Sequence, residues 1–151
     1  EGVVNKITDL LEREHTEEYS VANIREELQE SMNSNAQIFR TEETLSKQIE
    51  ILKDLRNRNK NITISDKGKV FNTELLDAIE LENLLDMAEA TVESALERKE
   101  SRGAHTREDY PERDDVNFLK HSFTSKDASG KIKVRYKDVE LGKYTPMERK
   151  Y

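Results

Sequence analysis

Apolar residues recur every three or four positions along most of the N-terminal part of the chain, which is the spacing of one helix face. The first such stripe covers residues 3–11, and the helix that it predicts ends near Glu14. A second stripe begins directly after Ser20, a side chain that suits a helix N-cap. It predicts a helix that continues as far as Phe39, with apolar positions Val21, Ile24, Leu28, Met32, Ala36 and Phe39.

Two longer helices follow the same rule. Thr41 followed by Glu42 and Glu43 marks a helix start, because acidic side chains stabilise the positive first turn. The stripe of this third helix is Leu45, Ile49, Leu52 and Leu55. Asn72 is a suitable cap for the longest helix, which is predicted over residues 73–99. Its apolar seam is Ala78, Leu81, Leu85, Ala88, Val92 and Ala95, widened by Leu75, Leu76, Ile79, Leu84 and Leu96.

The pattern changes after Lys99. Residues 100–116 carry dense charge without periodicity and predict a loop. Residues 118–124 and 131–136 alternate apolar and polar side chains around a turn-rich tetrapeptide, which predicts a small β-hairpin. The sequence therefore predicts a mainly α fold, an antiparallel bundle of three main helices plus a short N-terminal helix, followed by the charged loop and the hairpin. We assign residues 1–100 to the bundle and residues 101–151 to a loop, hairpin and tail that pack on the bundle or on another domain.

Composition narrows the possible functions. The chain has 151 residues, of which 34% are hydrophobic and 38% charged, a lean core that suffices for a helical bundle. Its net charge is −7 with acidic and basic residues interspersed, which argues against nucleic acid as a partner. The absence of cysteine excludes disulfides, iron–sulfur ligation and thiolate zinc sites in this sequence. No apolar run approaches the roughly 20 residues of a membrane span, and the absence of an initiator methionine leads us to expect part of a longer protein.

The sequence also lacks the usual cofactor motifs. Its five glycines are far apart, so no glycine-rich turn is available to hold the phosphates of FAD or NAD. The three histidines are also widely spaced and form no metal-binding helix motif. We therefore assign no catalytic, cofactor-binding or metal-ligating residue to this chain.

One segment has an unusual composition. Residues 100–115, with the sequence ESRGAHTREDYPERDD, combine three arginines, a histidine and several acids. In one interpretation, Arg102, His105 or Arg107 holds the carboxylate of a ligand. In the other, ion pairs fix the loop against another surface, and composition favours this one because arginine and aspartate form bidentate pairs with defined geometry.

This segment, followed by Asn117 and by residues 119–121, resembles the C-terminal signature of the succinate dehydrogenase/fumarate reductase flavoprotein family. The resemblance extends upstream through residues 24–32 and 38–43 and through FNTEL and LENLLDMAE in the long helix, and downstream to Lys133, Val134 and Tyr151. It covers nearly the whole chain. L-aspartate oxidase is similar at Ser101, Arg102, Gly103 and His105, but residues 107–115 fit the dehydrogenase/reductase branch better.

The resemblance implies a function for the parent protein. Members interconvert succinate and fumarate by hydride transfer at an FAD that is held in a separate flavin domain, and electrons pass through an iron–sulfur subunit to a quinone. None of the family's flavin or substrate motifs matches a position in this sequence, so the fragment is expected to be inactive and to hold no cofactor. The resemblance also implies a cytoplasmic location. It implies that the parent complex is associated with a membrane and that this chain does not insert into the membrane itself. The sequence leaves open whether the parent acts as dehydrogenase or reductase.

The resemblance also implies a structural role for the unusual segment. We expect an ion-pair cluster at the boundary with the flavin domain, formed by Arg102, His105, Arg107, Asp109, Arg113, Asp114 and Asp115. Two alternatives remain open at this level. One is the C-terminal domain of an L-aspartate oxidase-like flavoprotein, and the other is a stand-alone helical module that binds a partner along the apolar stripe of the long helix.

Overall fold

Four helices form about half of the structure, a computed structural model that describes residues 2–147 except for the side chain of Val3. They are α1 (Gly2–Glu12), α2 (Val21–Asn35), α3 (Glu42–Asn59) and α4 (Thr73–Glu97). The predicted fold class, with three main helices and a short N-terminal one, is confirmed. Tyr151, which contributes to the family resemblance, lies outside the described residues.

The three predicted N-caps are confirmed at α2, α3 and α4. Ser20, Thr41 and Asn72 each accept a hydrogen bond from the backbone N–H three residues further on. At Thr41 the hydrogen bond is reciprocal, because the side chain of Thr44 accepts from the backbone N–H of Thr41. Such caps satisfy N–H groups that have no partner within a helix, so they set where each helix begins.

The core lies between α2, α3 and α4. All six residues of the predicted α4 seam are buried, with exposed fractions between 0% and 7%. Gln48 is a polar exception on α3, fully buried and hydrogen-bonded to Asn35 and Ser31 of α2. Arg58, later in α3 than Gln48, pairs with Glu27, which is earlier in α2 than Ser31 and Asn35, so these two helices are antiparallel. No helix between residues 2 and 147 combines the length and apolar character that a membrane span needs.

The end of α2 differs from the prediction. The helix stops at Asn35, and the following residues form a short strand, β1 (Phe39–Arg40). This strand pairs in parallel with β2 (Thr106–Arg107), which lies in the predicted loop, and the Phe39 side chain is 68% exposed. The apolar spacing through Phe39 was misleading because a strand partner far along the chain competes with helix continuation. Smaller differences are that α1 ends at Glu12 and α4 at Glu97.

The predicted hairpin is present, with its strand ends shifted by one or two residues toward the C-terminus. Strands β3 (Lys120–Lys126) and β4 (Ile132–Asp138) pair antiparallel along their full length. Lys126 forms ion pairs with Asp86 and Glu89 on α4, so the hairpin lies against this helix. An isolated two-stranded hairpin has marginal stability, and α4 gives it a surface on which to pack.

Candidate functional site: an arginine-rich clasp

The charged segment folds into a compact structure, here named the clasp (residues 98–117). It follows α4 directly and turns back so that β2 reaches β1. Arg102 and His105 exchange two backbone hydrogen bonds of 2.8 and 3.0 Å, which close a tight turn. Gly103 occupies this turn with φ of +61°, a conformation that side chains disfavour. Residues close in sequence therefore form the local shape of the clasp.

Arg107 is one of two fully buried charged residues in the clasp. Its side chain has no exposed surface, and its Nη1 donates hydrogen bonds of 3.0 Å to the carbonyls of both Ala95 and Leu96. Its Nε and Nη2 hold Asp109 in bidentate fashion at 2.7 and 2.8 Å. The guanidinium therefore places a positive charge at the C-terminus of α4, where the helix dipole is negative.

Asp109 extends this arrangement to a second helix. Its Oδ2 accepts a 2.9 Å hydrogen bond from the backbone N–H of Glu42, in the first turn of α3. The Arg107–Asp109 pair thus joins the C-terminus of α4 to the N-terminus of α3, with each charge at the helix end that it stabilises. Hydrogen bonds from Arg107 hold the pKa of Asp109 at about 2, below its ordinary value of 3.8. The same pair raises the pKa of Arg107.

Glu100 is the second buried charge, with no exposed surface. Arg102 donates to both of its carboxylate oxygens, at 2.8 and 3.0 Å, and Arg98 donates to Oε1. The backbone N–H of Asp114 donates to Oε2 at 2.8 Å. Burial raises the pKa of Glu100, but these hydrogen bonds outweigh it and lower the pKa below the ordinary value. The ionised carboxylate therefore links the two ends of the clasp.

The outer part of the clasp contains weaker, more exposed contacts. Asp115 accepts from Arg102 at 2.6 Å and also pairs with Arg113. Asp114 accepts from the backbone N–H groups of Val116 and Asn117, which caps a turn. These groups are solvent-exposed or half-buried, so each contributes much less than the buried pairs.

Arg98 connects the clasp to the hairpin. Its Nη1 and Nη2 donate to the carbonyls of Phe118 and Lys120 at 2.9 and 2.7 Å. Its guanidinium also lies over the rings of Phe118 and Tyr136, at 5.6 and 5.9 Å from their centroids. One arginine therefore holds Glu100 and the start of β3 together.

His105 forms a different contact. Its Nδ1 accepts a 2.7 Å hydrogen bond from Arg40 in β1, and its Nε2 donates to the carbonyl of Arg98 at 3.1 Å. Burial lowers the pKa of His105, and the charges of Arg40, Arg107 and Arg98 lower it further. The imidazole is therefore neutral near neutral pH, and no carboxylate pairs with it within residues 2–147.

The structure brings the seven predicted residues into one segment but gives them different contacts. Arg102, Arg107, Asp109, Arg113 and Asp115 form ion pairs within the chain, while Asp114 caps a turn and His105 contacts Arg40. Sequence reasoning missed Glu100 and Arg40. Glu100 stands at the start of the unusual segment, so its position is a usable signal. Arg40 has no local signal, because it lies 65 residues from His105.

The chemistry of the clasp suits a structural role. The guanidinium groups of Arg102 and Arg107 already bind carboxylates of the same chain, which argues against the interpretation that they hold the carboxylate of a ligand. No group of three or more metal-ligating side chains occurs in the part of the chain that the structure describes. The clasp therefore connects helix ends and the hairpin.

Acid should weaken the clasp. Because Asp109 and Glu100 have a lower pKa in the folded than in the unfolded chain, their contribution is present above the unfolded values of 3.8 and 4.5. It is lost as the pH falls through the folded pKa values, and that of Asp109 is about 2. We expect urea denaturation to show a falling free energy of unfolding between about pH 5 and about pH 2.5. Asp109→Asn should flatten this profile, and an unchanged profile would contradict the assignment.

Comparison with known proteins places these features in a wider group. A family model described as the C-terminal part of the fumarate reductase flavoprotein matches residues 25–151. The succinate dehydrogenase flavoprotein subunit of Rickettsia felis is 49% identical over 121 residues, which are 80% of this chain and 20% of that protein. The fumarate reductase flavoprotein subunit of Escherichia coli is 43% identical over 152 residues, covering 99% of this chain and 25% of that protein.

The solved structures show the same similarity. A chain of Escherichia coli quinol fumarate reductase superposes with a TM-score of 0.88 at 42% identity. The superposition covers 97% of this chain and 25% of the solved one. The chain thus spans a quarter or less of the length of these relatives, and the similarity includes the bundle, the clasp and the hairpin.

Proposed function

Because the chain belongs to the family of succinate dehydrogenase and fumarate reductase flavoprotein C-terminal domains, we propose that it is the C-terminal domain of a flavoprotein that interconverts succinate and fumarate. The observation that carries the proposal is the match of fold and sequence over 97% of the chain. Relatives with these names do not favour an L-aspartate oxidase-like protein or a stand-alone interaction module.

We assign the FAD to the part of the polypeptide outside this chain. When bound there, the flavin supplies the hydride chemistry between succinate and fumarate. The residues present here do not fit a dinucleotide site, since Gly103, Gly130 and Gly142 have positive φ but each occupies a separate turn. In this proposal the domain itself is inactive and its partners are the flavin domain and an iron–sulfur subunit. It remains cytoplasmic and reaches the membrane only through the complex.

Within this proposal the clasp supports the flavin domain. Its internal ion pairs hold the ends of α3 and α4 and give the loop one shape, so a neighbouring domain meets a formed surface. The seven residues from Arg102 to Asp115 then act at the domain boundary through the geometry that they stabilise. Direct contact of these residues with the flavin domain remains a prediction.

The native polypeptide that contains this sequence provides the test. We expect a mass several times that of this chain and a visible flavin spectrum that succinate bleaches. A colourless protein of this chain's mass would overturn the proposal. A flavoprotein that is bleached by L-aspartate and not by succinate would instead favour the oxidase alternative.

Arg102→Ala in the full-length polypeptide should reduce thermal stability or flavin retention more than it changes KM for succinate. The reason is that Arg102 binds Glu100 and Asp115 within the chain, away from any reacting group that we assign. Calorimetry, bound flavin per chain and steady-state kinetics measure the three quantities. Arg58→Ala is the control, since Arg58 is about as exposed as Arg102 but its partners Glu27 and Asp54 are exposed, whereas Glu100 is buried. A large rise in KM with normal thermal stability would defeat the idea.

A further inference from the structure

A groove of about 410 Å³ lies between α4, β1, β3 and the clasp. Its polar lining includes Arg40, Thr91, Ser94, His105 and Thr124. The ion pairs of the clasp do not involve Arg40 or His105, and the proposed structural role of the clasp does not explain the groove.

Arg40 is the unusual member of this lining. The other arginines that contact α4 or the clasp core, such as Arg56 and Arg107, have carboxylate partners. Arg40 is half-buried, yet within residues 2–147 no carboxylate lies within 4.0 Å of it, and its Nη2 makes no hydrogen bond. Its Nε donates to the carbonyls of Ala36 and Gln37, and its Nη1 contacts the neutral His105. A half-buried guanidinium without a counter-ion is costly, so it is suited to an anionic partner that arrives later.

The rim of the groove is apolar and exposed. Met87, which lines the groove, is 67% exposed, and Leu84, on the same side of α4 but outside the lining of this groove, is 38% exposed. Met87 also lines a second groove, between α2 and α4, together with Met32. Methionine and arginine are enriched in protein interfaces, whereas a free surface more often carries lysine and glutamate.

We propose that the Arg40 groove is the docking surface for the preceding part of the longer polypeptide, which supplies an aspartate or glutamate carboxylate to Arg40 and an apolar side chain over Met87. The proposal rests on the proposed function. The relatives explain the choice of occupant, because this chain covers only 25% of the Escherichia coli flavoprotein subunit and most of that polypeptide lies outside the match. A segment of the same polypeptide is present in every copy, so the groove never stays open to water.

Thiol labelling in the native, full-length polypeptide with its partner subunits tests the docking. Thr91→Cys places a thiol in the groove, and Ser34→Cys places a matched exposed thiol in the groove between α2 and α3. Because this chain has no cysteine, peptide mass spectrometry identifies the labelled site without ambiguity. We expect maleimide to label the Thr91→Cys thiol at least about tenfold more slowly, the ratio that about 1.4 kcal/mol of docking free energy gives. Adding Arg40→Glu should bring the two rates together, while Arg40→Lys should keep most of the protection.

The outcomes separate the possible occupants. Equal labelling rates in a flavin-containing polypeptide would overturn the docking and leave the proposed function intact. Protection that disappears when the partner subunits are removed would also overturn it, since the occupant would then be a partner subunit. Protection that depends on protein concentration would indicate a second copy and overturn it as well. If the unsubstituted protein has no flavin spectrum that succinate bleaches, the proposed function is rejected, whatever the labelling rates are.

Discussion

Arg107→Ala should lower the free energy of unfolding of the chain by about 3–5 kcal/mol, the range for breaking one side of a buried ion pair. The substitution removes two hydrogen bonds to the C-terminal carbonyls of α4 and leaves Asp109 without its cation. It also removes the contact of the guanidinium with the ring of Tyr110, 4.9 Å from the ring centroid. Urea denaturation followed by far-UV circular dichroism measures the loss.

Arg113→Ala is the matched control for this prediction. Arg113 lies in the same clasp and pairs with Asp115, but both side chains are about one third exposed. Exposed ion pairs contribute about 0–1 kcal/mol, so this variant should unfold almost as the parent does. Equal losses in the two variants would mean that burial of Arg107 does not determine its effect. A small loss at Arg107, below about 1 kcal/mol, would show that the helix-end contacts are weak.

The second large effect is expected for Glu100→Gln, which keeps the shape of the side chain and removes its charge. The glutamine has one oxygen, so it can accept either from the two groups that donate to Oε1, Arg98 and Nε of Arg102, or from the two that donate to Oε2, Nη2 of Arg102 and the N–H of Asp114. Its NH₂ group would face a donor in a site with no exposed surface. We expect a loss of about 3 kcal/mol, measured by the same denaturation experiment.

Glu97→Gln controls for the removal of one acidic charge at this end of α4. Glu97 is exposed and lies one turn before Glu100, so its substitution should change stability by less than about 0.5 kcal/mol. If Glu100→Gln also falls within this range, the buried carboxylate is not required to hold Arg98 and Arg102. If both variants lose several kcal/mol, the effect comes from net charge and the assigned contacts are not its cause.

The helices were predictable because their signals are local. The spacing of Leu81, Leu85 and Val92 reflects one buried face, and Ser20 and Asn72 mark helix starts through hydrogen bonds only three residues long. The hairpin was also predictable, since its turn joins strands that are adjacent in sequence. Its boundaries shifted by one or two residues because pairing, and not alternation alone, determines where a strand ends.

The end of α2 and the pairing inside the clasp were harder to predict from the sequence. Periodicity at Ala36 and Phe39 cannot reveal that Arg40 pairs with a strand 67 residues later. Arginine is rarely buried, so no sequence rule places Arg107 in the core with no exposed surface. Composition indicated a cluster of arginines and acids but not which acid each arginine binds. The boundary role of the cluster therefore stays a prediction, while the contacts themselves are geometric facts.

The distance in sequence between Asp109 and the start of α3 has a consequence for biosynthesis. Glu42 is translated 67 residues before Asp109, the side chain that accepts from its backbone N–H. At about 5–20 residues per second, the first turn of α3 waits roughly 3–13 s on the ribosome for this partner. During that interval the nascent bundle lacks the contact that joins the ends of α3 and α4. A ribosome that stalls before residue 109 would release a helical product in which Asp109 does not bind the first turn of α3. Such a product would be a target for proteases and chaperones.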